Sequence, residues 1–350
     1  MTGWAVDGVE LPFGSDARQW WIGANGEARD RPLPDAELLP GRFVLPGLAD
    51  AHAHPALGVG QTGPLALDQD SARANLITWA QAGVALVRDV GSPAGLSLDV
   101  QPEPGMPSLL AAGRFMAPAG RYFPQLLVNP VEEPDLADAA LAEIARGARW
   151  IKVICDFPDL VAQTAAEPTY SADAITRLVD AAHKAGARVA AHTTTANAAA
   201  VVAAGVDSIE HGTALDEATV REMARRGTAW TPTLGATIGF ADRVEVPPET
   251  RDAVRQIRDR LAHLIPLAVR LGVPVLAGTD VVGSLPQEVA LLAQLGLAPG
   301  EALAAASVWV RQFVGTDASA DIVTYHHDPR EDPDLLAEPA AVVVGGTRLR

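Results

Sequence analysis

His52, His54, Lys152, His192, His211 and Asp280 each lie at or just past the end of a short apolar run. Imidazole nitrogen and carboxylate oxygen are donors that suit zinc or a similar divalent ion, and a catalytic site keeps one coordination position open for water. Together the six read as the ligand set of a two-metal hydrolase. In Leu45-Pro-Gly-Leu-Ala-Asp-Ala-His-Ala-His54 two imidazoles stand two residues apart, so an extended strand carries both on one face. Two surface histidines would look the same in isolation. The spacing of the other candidates separates the two readings.

From His52 to Asp280 there are 228 residues. If these residues end the first and eighth strands of a repeat, seven strand–helix units average about 33 residues, close to the pitch of a (β/α)8 barrel of about 250 residues. Lys152 falls in Trp150-Ile-Lys-Val-Ile154, His192 ends Arg188-Val-Ala-Ala-His192, and His211 ends Val206-Asp-Ser-Ile-Glu-His211. Val84 to Asp89, Ser108 to Ala112 and Thr228 to Leu234 supply strands two, three and seven, and Val273 to Asp280 the eighth. Between them lie helix signals. Ser171 caps a helix running to Ala185 before Gly186, and Asp216-Glu217 open one that ends at Gly227 with Arg225 and Arg226 in its last turn. Short strands alternating with helices predict a parallel α/β fold, in which C-terminal strand ends form the active site.

Lys152 and Lys184 are the two lysines of the chain. A lysine inside an apolar strand is rarely buried without a partner. One reading has it reaching past the strand end toward a carboxylate such as Asp156. In the other, burial keeps the amine neutral, so that it takes up carbon dioxide as a carbamate whose two oxygens bridge a pair of metals.

With these residues in place the chain resembles the amidohydrolase superfamily, in particular its imidazolonepropionase-like and prolidase-like (Xaa-Pro dipeptidase-like) branch. The matching stretches are Val44 to His54, Gly83 to Gly91, Ile151-Lys-Val153, Ala191-His-Thr193, Gly205 to Gly212 and Ala277-Gly-Thr-Asp280. The resemblance implies that His52, His54 and Asp280 hold one ion, that His192 and His211 hold the other, and that carbamylated Lys152 bridges them. Zinc is the expected metal. It further implies a metal-bridging hydroxide as nucleophile, with Asp280 taking its proton and passing it to the leaving group. The two termini would meet in a small β-sandwich, dividing the chain into residues 1–45 with 319–350 and a barrel of 46–318.

Length and composition agree. A chain of 350 residues with 48% hydrophobic side chains can hold one large core plus a small accessory unit. A net charge of −16 argues against nucleic acid or an anionic membrane as partner and leaves a small-molecule substrate. A homo-oligomer is compatible with the sequence. The N-terminus lacks the pattern of a signal peptide, the uncharged run 189–206 contains His192 and is no membrane span, and the single Cys155 forms no internal disulfide. A cytoplasmic enzyme is expected.

Substrate contacts are less defined. Arg88 and Asp89, ending the second strand, either line the site or form an ion pair beneath it. The third loop, Arg114 to Pro134, carries Arg121 and Tyr122. Arg121 is a candidate clamp for a substrate carboxylate and Tyr122 a hydrogen-bonding partner, unless both pack on the rim. Dipeptide-cleaving relatives often carry Gly-Gly-His where this chain has Gly120-Arg-Tyr122. Deaminase relatives place a Glu where this chain has Thr195. The reading is hydrolysis of a small-molecule amide or cyclic amide. A lactone or ester hydrolase, a deaminase and a non-catalytic metal-binding scaffold are the alternatives.

Overall fold

The computed structural model describes residues 3–23, 27–61, 63–242, 246–316 and 321–350. Short apolar runs, too brief for helices, form parallel strands. Leu48–Ala53, Val84–Asp89 and Ser108–Ala111 make one sheet, while Phe115–Met116, Trp150–Ile154, Arg188–Thr193, Ser208–His211 and Ala229–Thr231 make another. The third run is split. Ser108–Ala111 pairs with the second strand, and Phe115–Met116, a few residues on, pairs with the fourth. Gly113 makes the intervening turn at φ +74°, where an added Cβ would lie 2.5 Å from the Glu143 carboxylate. The loop expected from Arg114 therefore begins with a strand.

The eighth run, 273–280, differs from expectation in forming no continuous strand. Pro274 has no N–H to give a ladder. The run still bonds on both sides: Trp230 N–H donates to Pro274 O (2.8 Å) and Leu276 N–H to Trp230 O (2.8 Å), while Ala51 N–H donates to Ala277 O (2.9 Å) and Asp280 N–H to His52 O (2.7 Å). Gly278 permits this approach, since a Cβ there would sit 2.5 Å from the His52 Cβ.

Helices cover the strands as their end signals predict. Ala172–Lys184 starts where the Ser171 hydroxyl accepts from Ala174 N–H, and it buries Ile175, Leu178, Val179 and Ala182 at helical spacing. Glu217–Arg226 is capped by Asp216 and stopped by Gly227 at φ 73°. Leu285–Gln294, capped by Ser284, buries Glu288 along with Leu285, Val289 and Leu292.

The two ends of the chain share one eight-stranded sheet. Phe43–Leu45 lies between Trp4–Glu10, which it parallels, and Ile322–Tyr325, which it opposes. Trp4, Val6, Trp20, Val44, Ile322 and Val343 pack as its apolar core. The expected boundary between 318 and 319 lies outside the described residues. Among those residues no helix is long and apolar enough to cross a membrane.

Candidate active site

Parallel register brings the C-terminal strand ends level. Ile154 stands opposite His192, His192 opposite Glu210, Thr193 opposite His211, and Ala53 opposite Asp280. As a result His52, His54, Lys152, His192, His211 and Asp280 all line one cavity of about 240 Å³, with Tyr122 and Thr194 in its wall. His52, His211 and Asp280 form the tightest trio, their donor atoms all within 4.8 Å of one another. That trio draws from both of the expected ligand sets, because the His211 ring lies 5.1 Å from that of His52 and 4.5 Å from that of His192.

Hydrogen bonds behind three rings decide which nitrogen faces the cavity. His52 Nδ1 is 2.6 Å from a Glu210 carboxylate oxygen and His54 Nδ1 is 2.7 Å from the Gly91 carbonyl; both partners only accept. His211 Nδ1 lies 2.7 Å from Thr233 Oγ1, whose own proton goes to the Pro232 carbonyl (2.8 Å). Each Nδ1 therefore carries the proton, and each Nε2 is left with its lone pair. Burial lowers the affinity of all four imidazoles for a second proton, and the Lys152 charge adds to this at His52 and His192. Neutral imidazole is the metal-binding form.

Burial also lowers Lys152 to about 8, against the pull of Glu210 and Asp280 in the other direction. A far larger fraction of the amine is thus neutral near physiological pH than in an ordinary lysine, although the charged form still predominates. It does not reach out to Asp156, which instead accepts from Thr193, from Thr194 N–H (2.8 Å) and from the Thr195 hydroxyl (2.9 Å). These donors suit divalent metal ions: neutral imidazoles, three of them buried with fixed tautomers, a carboxylate, and a lysine able to form a carbamate.

Local backbone strain aims two of the six. His211 (φ 68°) and Asp280 (φ 55°) sit in the left-handed region at their strand ends. In a regular strand consecutive residues face opposite ways. The turn at His211 lets Glu210 support His52 while His211 lines the cavity. Glu210 is buried, which raises its pKa, but Arg88 and Lys152 outweigh this and hold it below the usual range.

Three of the candidate substrate contacts take the structural one of the two readings left open, and are not substrate contacts. Arg88 is buried beneath the cavity, bonded to Glu210 Oε1 (2.8 Å) and Ser208 Oγ (2.8 Å), with its guanidinium 4.5 Å from the Trp150 ring centre. A guanidinium so enclosed has no face left for substrate. Asp89 is buried behind His54, 3.9 Å from its Nδ1, and burial lifts it to about 7. Arg121 donates to the carbonyls of Phe157 (2.8 Å) and Glu167 (2.7 Å), tying down the hairpin 156–168. Of the candidate contacts, Tyr122 alone lines the cavity.

Sequence reasoning missed Glu210, Thr233, Asp50 and Phe157. Asp50 accepts from His52 N–H (3.0 Å) and the Thr279 hydroxyl (2.6 Å), so it bridges the first strand to the eighth run beside Asp280. Glu210 had a usable signal: an acid and an arginine, each inside an otherwise apolar strand, require each other. Thr233 had none, because its role depends on a left-handed turn (φ 46°).

The chain belongs to the amidohydrolase family, whose model matches residues 43–320. Within that family it is a metal-dependent hydrolase acting on carbon–nitrogen bonds. An uncharacterized protein of Mycobacterium tuberculosis is 35% identical over 97% of this chain and 94% of its own length. Among solved structures, a Xaa-Pro dipeptidase with bound methionine in its active site superposes with a TM-score of 0.82, at 20% identity and complete coverage of both chains. The ochratoxinase of A. niger superposes with a TM-score of 0.80 at 19% identity, covering 100% of this chain and 96% of its own. At these identities the structural likeness speaks for the fold.

Proposed function

We propose that this chain is a binuclear hydrolase of small-molecule amides or cyclic amides, with His52, His54, Lys152, His192, His211 and Asp280 as the ligands and Lys152 carbamylated. The observation that carries this reading is the placement of protons: three ring N–H groups point at acceptors behind the site, leaving three Nε2 lone pairs around one cavity with Asp280 and a buried lysine. Ions bound there, zinc by preference, would make water a competent nucleophile and polarise the substrate carbonyl.

The chain's own groups do the rest. Asp280, with one carboxylate oxygen 3.6 Å from His54 Nε2, is the base that receives a proton from the attacking water and delivers it to the leaving nitrogen. Its backbone is pinned by the bond to His52 O, and the hydroxyl of neighbouring Thr279 by Asp50. Position 195, where deaminase relatives place a Glu, is a threonine whose hydroxyl donates to Asp156, so no carboxylate of the deaminase kind stands there. The parallel strands are read as one (β/α)8 barrel of residues 46–318, which the two-sided bonding of 273–280 and the split third strand support. The shared terminal sheet supports a separate small domain of 1–45 with 319–350, expected as a β-sandwich.

Metal analysis tests the proposal. Protein prepared with zinc and bicarbonate should hold about two divalent ions per chain and cleave members of a panel of N-acyl amines, lactams and dipeptides. One ion per chain with Lys152 unmodified would overturn the binuclear reading.

A further inference from the structure

We propose that the substrate is an uncharged amide bearing a compact apolar ring, not a carboxylate-bearing dipeptide or N-acyl amino acid; this rests on the hydrolytic reading above and adds what the cavity selects. Away from the imidazoles the wall is built by Tyr122, Phe123, Phe157, Leu57, Leu126 and Val281. Three of these rings pack edge-to-face in a closed triangle, with centroids 5.2 Å (Tyr122–Phe123), 5.1 Å (Tyr122–Phe157) and 5.2 Å (Phe123–Phe157) apart. Such mutual packing fixes the wall before a ligand arrives, and a rigid aromatic surface favours a flat apolar group.

Recognising a carboxylate requires a cation or converging N–H donors. Apart from the proposed ions, which the attacking water and the scissile carbonyl engage, Lys152 is the one cation among the described residues lining the cavity, and the proposed carbamate removes its charge. Arg121 is committed to two backbone carbonyls. The Thr194 hydroxyl donates to Asp156 and that of Thr237 to the Thr233 carbonyl. The Tyr122 hydroxyl makes no hydrogen bond among the described residues, and burial raises its pKa, so it stays a neutral donor. A lone neutral O–H suits a carbonyl or ether oxygen.

Two larger features point the same way. The net charge of −16 opposes the approach of an anion. The apolar lining also continues outward: Val59 (69% exposed) and Leu65 (51%) stand on the hairpin whose Leu57 and Pro64 line the cavity, and Val282 (38%) follows Val281. A cavity of about 240 Å³ accommodates one ring and the scissile group, so a longer apolar substituent would lie over this rim.

A matched pair of substrates provides the test. Two phenylacetic anilides, differing only in a methyl or a carboxymethyl group on the acyl ring, are compared on the metal-loaded enzyme. Their ketone analogues, with CH2 in place of the amide N–H, are titrated by calorimetry. The neutral member should have at least a tenfold higher kcat/KM, and its ketone at least a tenfold lower Kd. Phe157→Leu, which keeps apolar volume but removes a ring, should raise KM for the neutral anilide several-fold while changing kcat little. Equal or better use of the carboxylated anilide would overturn the proposed selectivity and leave the hydrolytic reading standing. If neither anilide is cleaved yet the neutral ketone still binds more tightly, the hydrolytic reading fails and the selectivity holds. Equal binding of the two ketones overturns the selectivity whatever the turnover.

Discussion

The acceptors behind His52, His54 and His211 set what each ring offers in front, so residues that never touch substrate should control metal affinity. Glu210→Gln takes the charge from the partner of His52 Nδ1 and leaves the Arg88 guanidinium buried without its counter-ion. Removing one member of a buried pair typically costs about 3–5 kcal/mol, and losing such support behind a ligand weakens metal binding about 10–100-fold. Urea unfolding and competitive chelator titration measure the two losses; unchanged metal affinity in folded variant protein would deny Glu210 its positioning role. Asp280→Asn keeps the shape of the side chain and removes the proton acceptor. Turnover should fall by about 10²–10⁴-fold with little change in Tm, and near-full activity would remove Asp280 from the mechanism. Lys152→Ala should lower both metal content and activity, with partial recovery of both when short carboxylic acids are added to fill the vacated space. Lys184→Ala, at an exposed helix end, controls for loss of positive charge and should change stability by no more than about 0.5 kcal/mol.

At the scale of elements, what could be read in the sequence is what depends on local chemistry. Ser171, Asp216 and Gly227 are caps whose effect lies within one turn of the chain, and their helices start and stop as they dictate. The six polar residues ending apolar runs were visible because polarity there is anomalous. Hidden from the sequence were features set by contacts between distant elements: the split third strand, the irregular eighth run, and the turning of Arg121 toward the 156–168 hairpin. Glu288 is a further example. It lies on the helix Leu285–Gln294, yet its carboxyl accepts from Leu234 N–H (2.9 Å) and Gly235 N–H (2.5 Å) in the turn that carries Thr233. Burial lifts this acid from near 4.5 to about 8. Between those values the folded chain holds a proton that the unfolded chain releases. The stability it contributes is thus fully present below about pH 4.5 and is lost as pH rises toward 8, at up to about 1.4 kcal/mol per pH unit. In Glu288→Gln this proton-linked slope should disappear even if the variant is less stable at every pH. Urea midpoints at pH 5.5, 6.5 and 7.5 give the slope, and an unchanged slope would refute the assignment.

For the whole molecule, with the proposed ligands drawn from the first, fourth, fifth and sixth strands and the eighth run, an ion held by His52, His54 and Asp280 would tie together segments more than two hundred residues apart. Metal at a hundredfold excess over its Kd should stabilise the fold by about 2.7 kcal/mol per site. Calorimetric Tm should therefore climb with free zinc and fall on chelation, and a Tm indifferent to zinc would contradict binding at these residues. The terminal sheet has a consequence for synthesis. Phe43–Leu45 leaves the ribosome well before Ile322–Tyr325, the segment about 280 residues later to which it bonds along one edge. Until that segment emerges, the edge of a growing sheet stays open, directly ahead of the strand that bears His52 and ends just before His54. Closing so long a loop is slow, and an unpaired edge invites pairing with a neighbouring chain. Nascent chains stalled short of Tyr325 should therefore be the species that chaperones hold, and the ones most readily lost to aggregation.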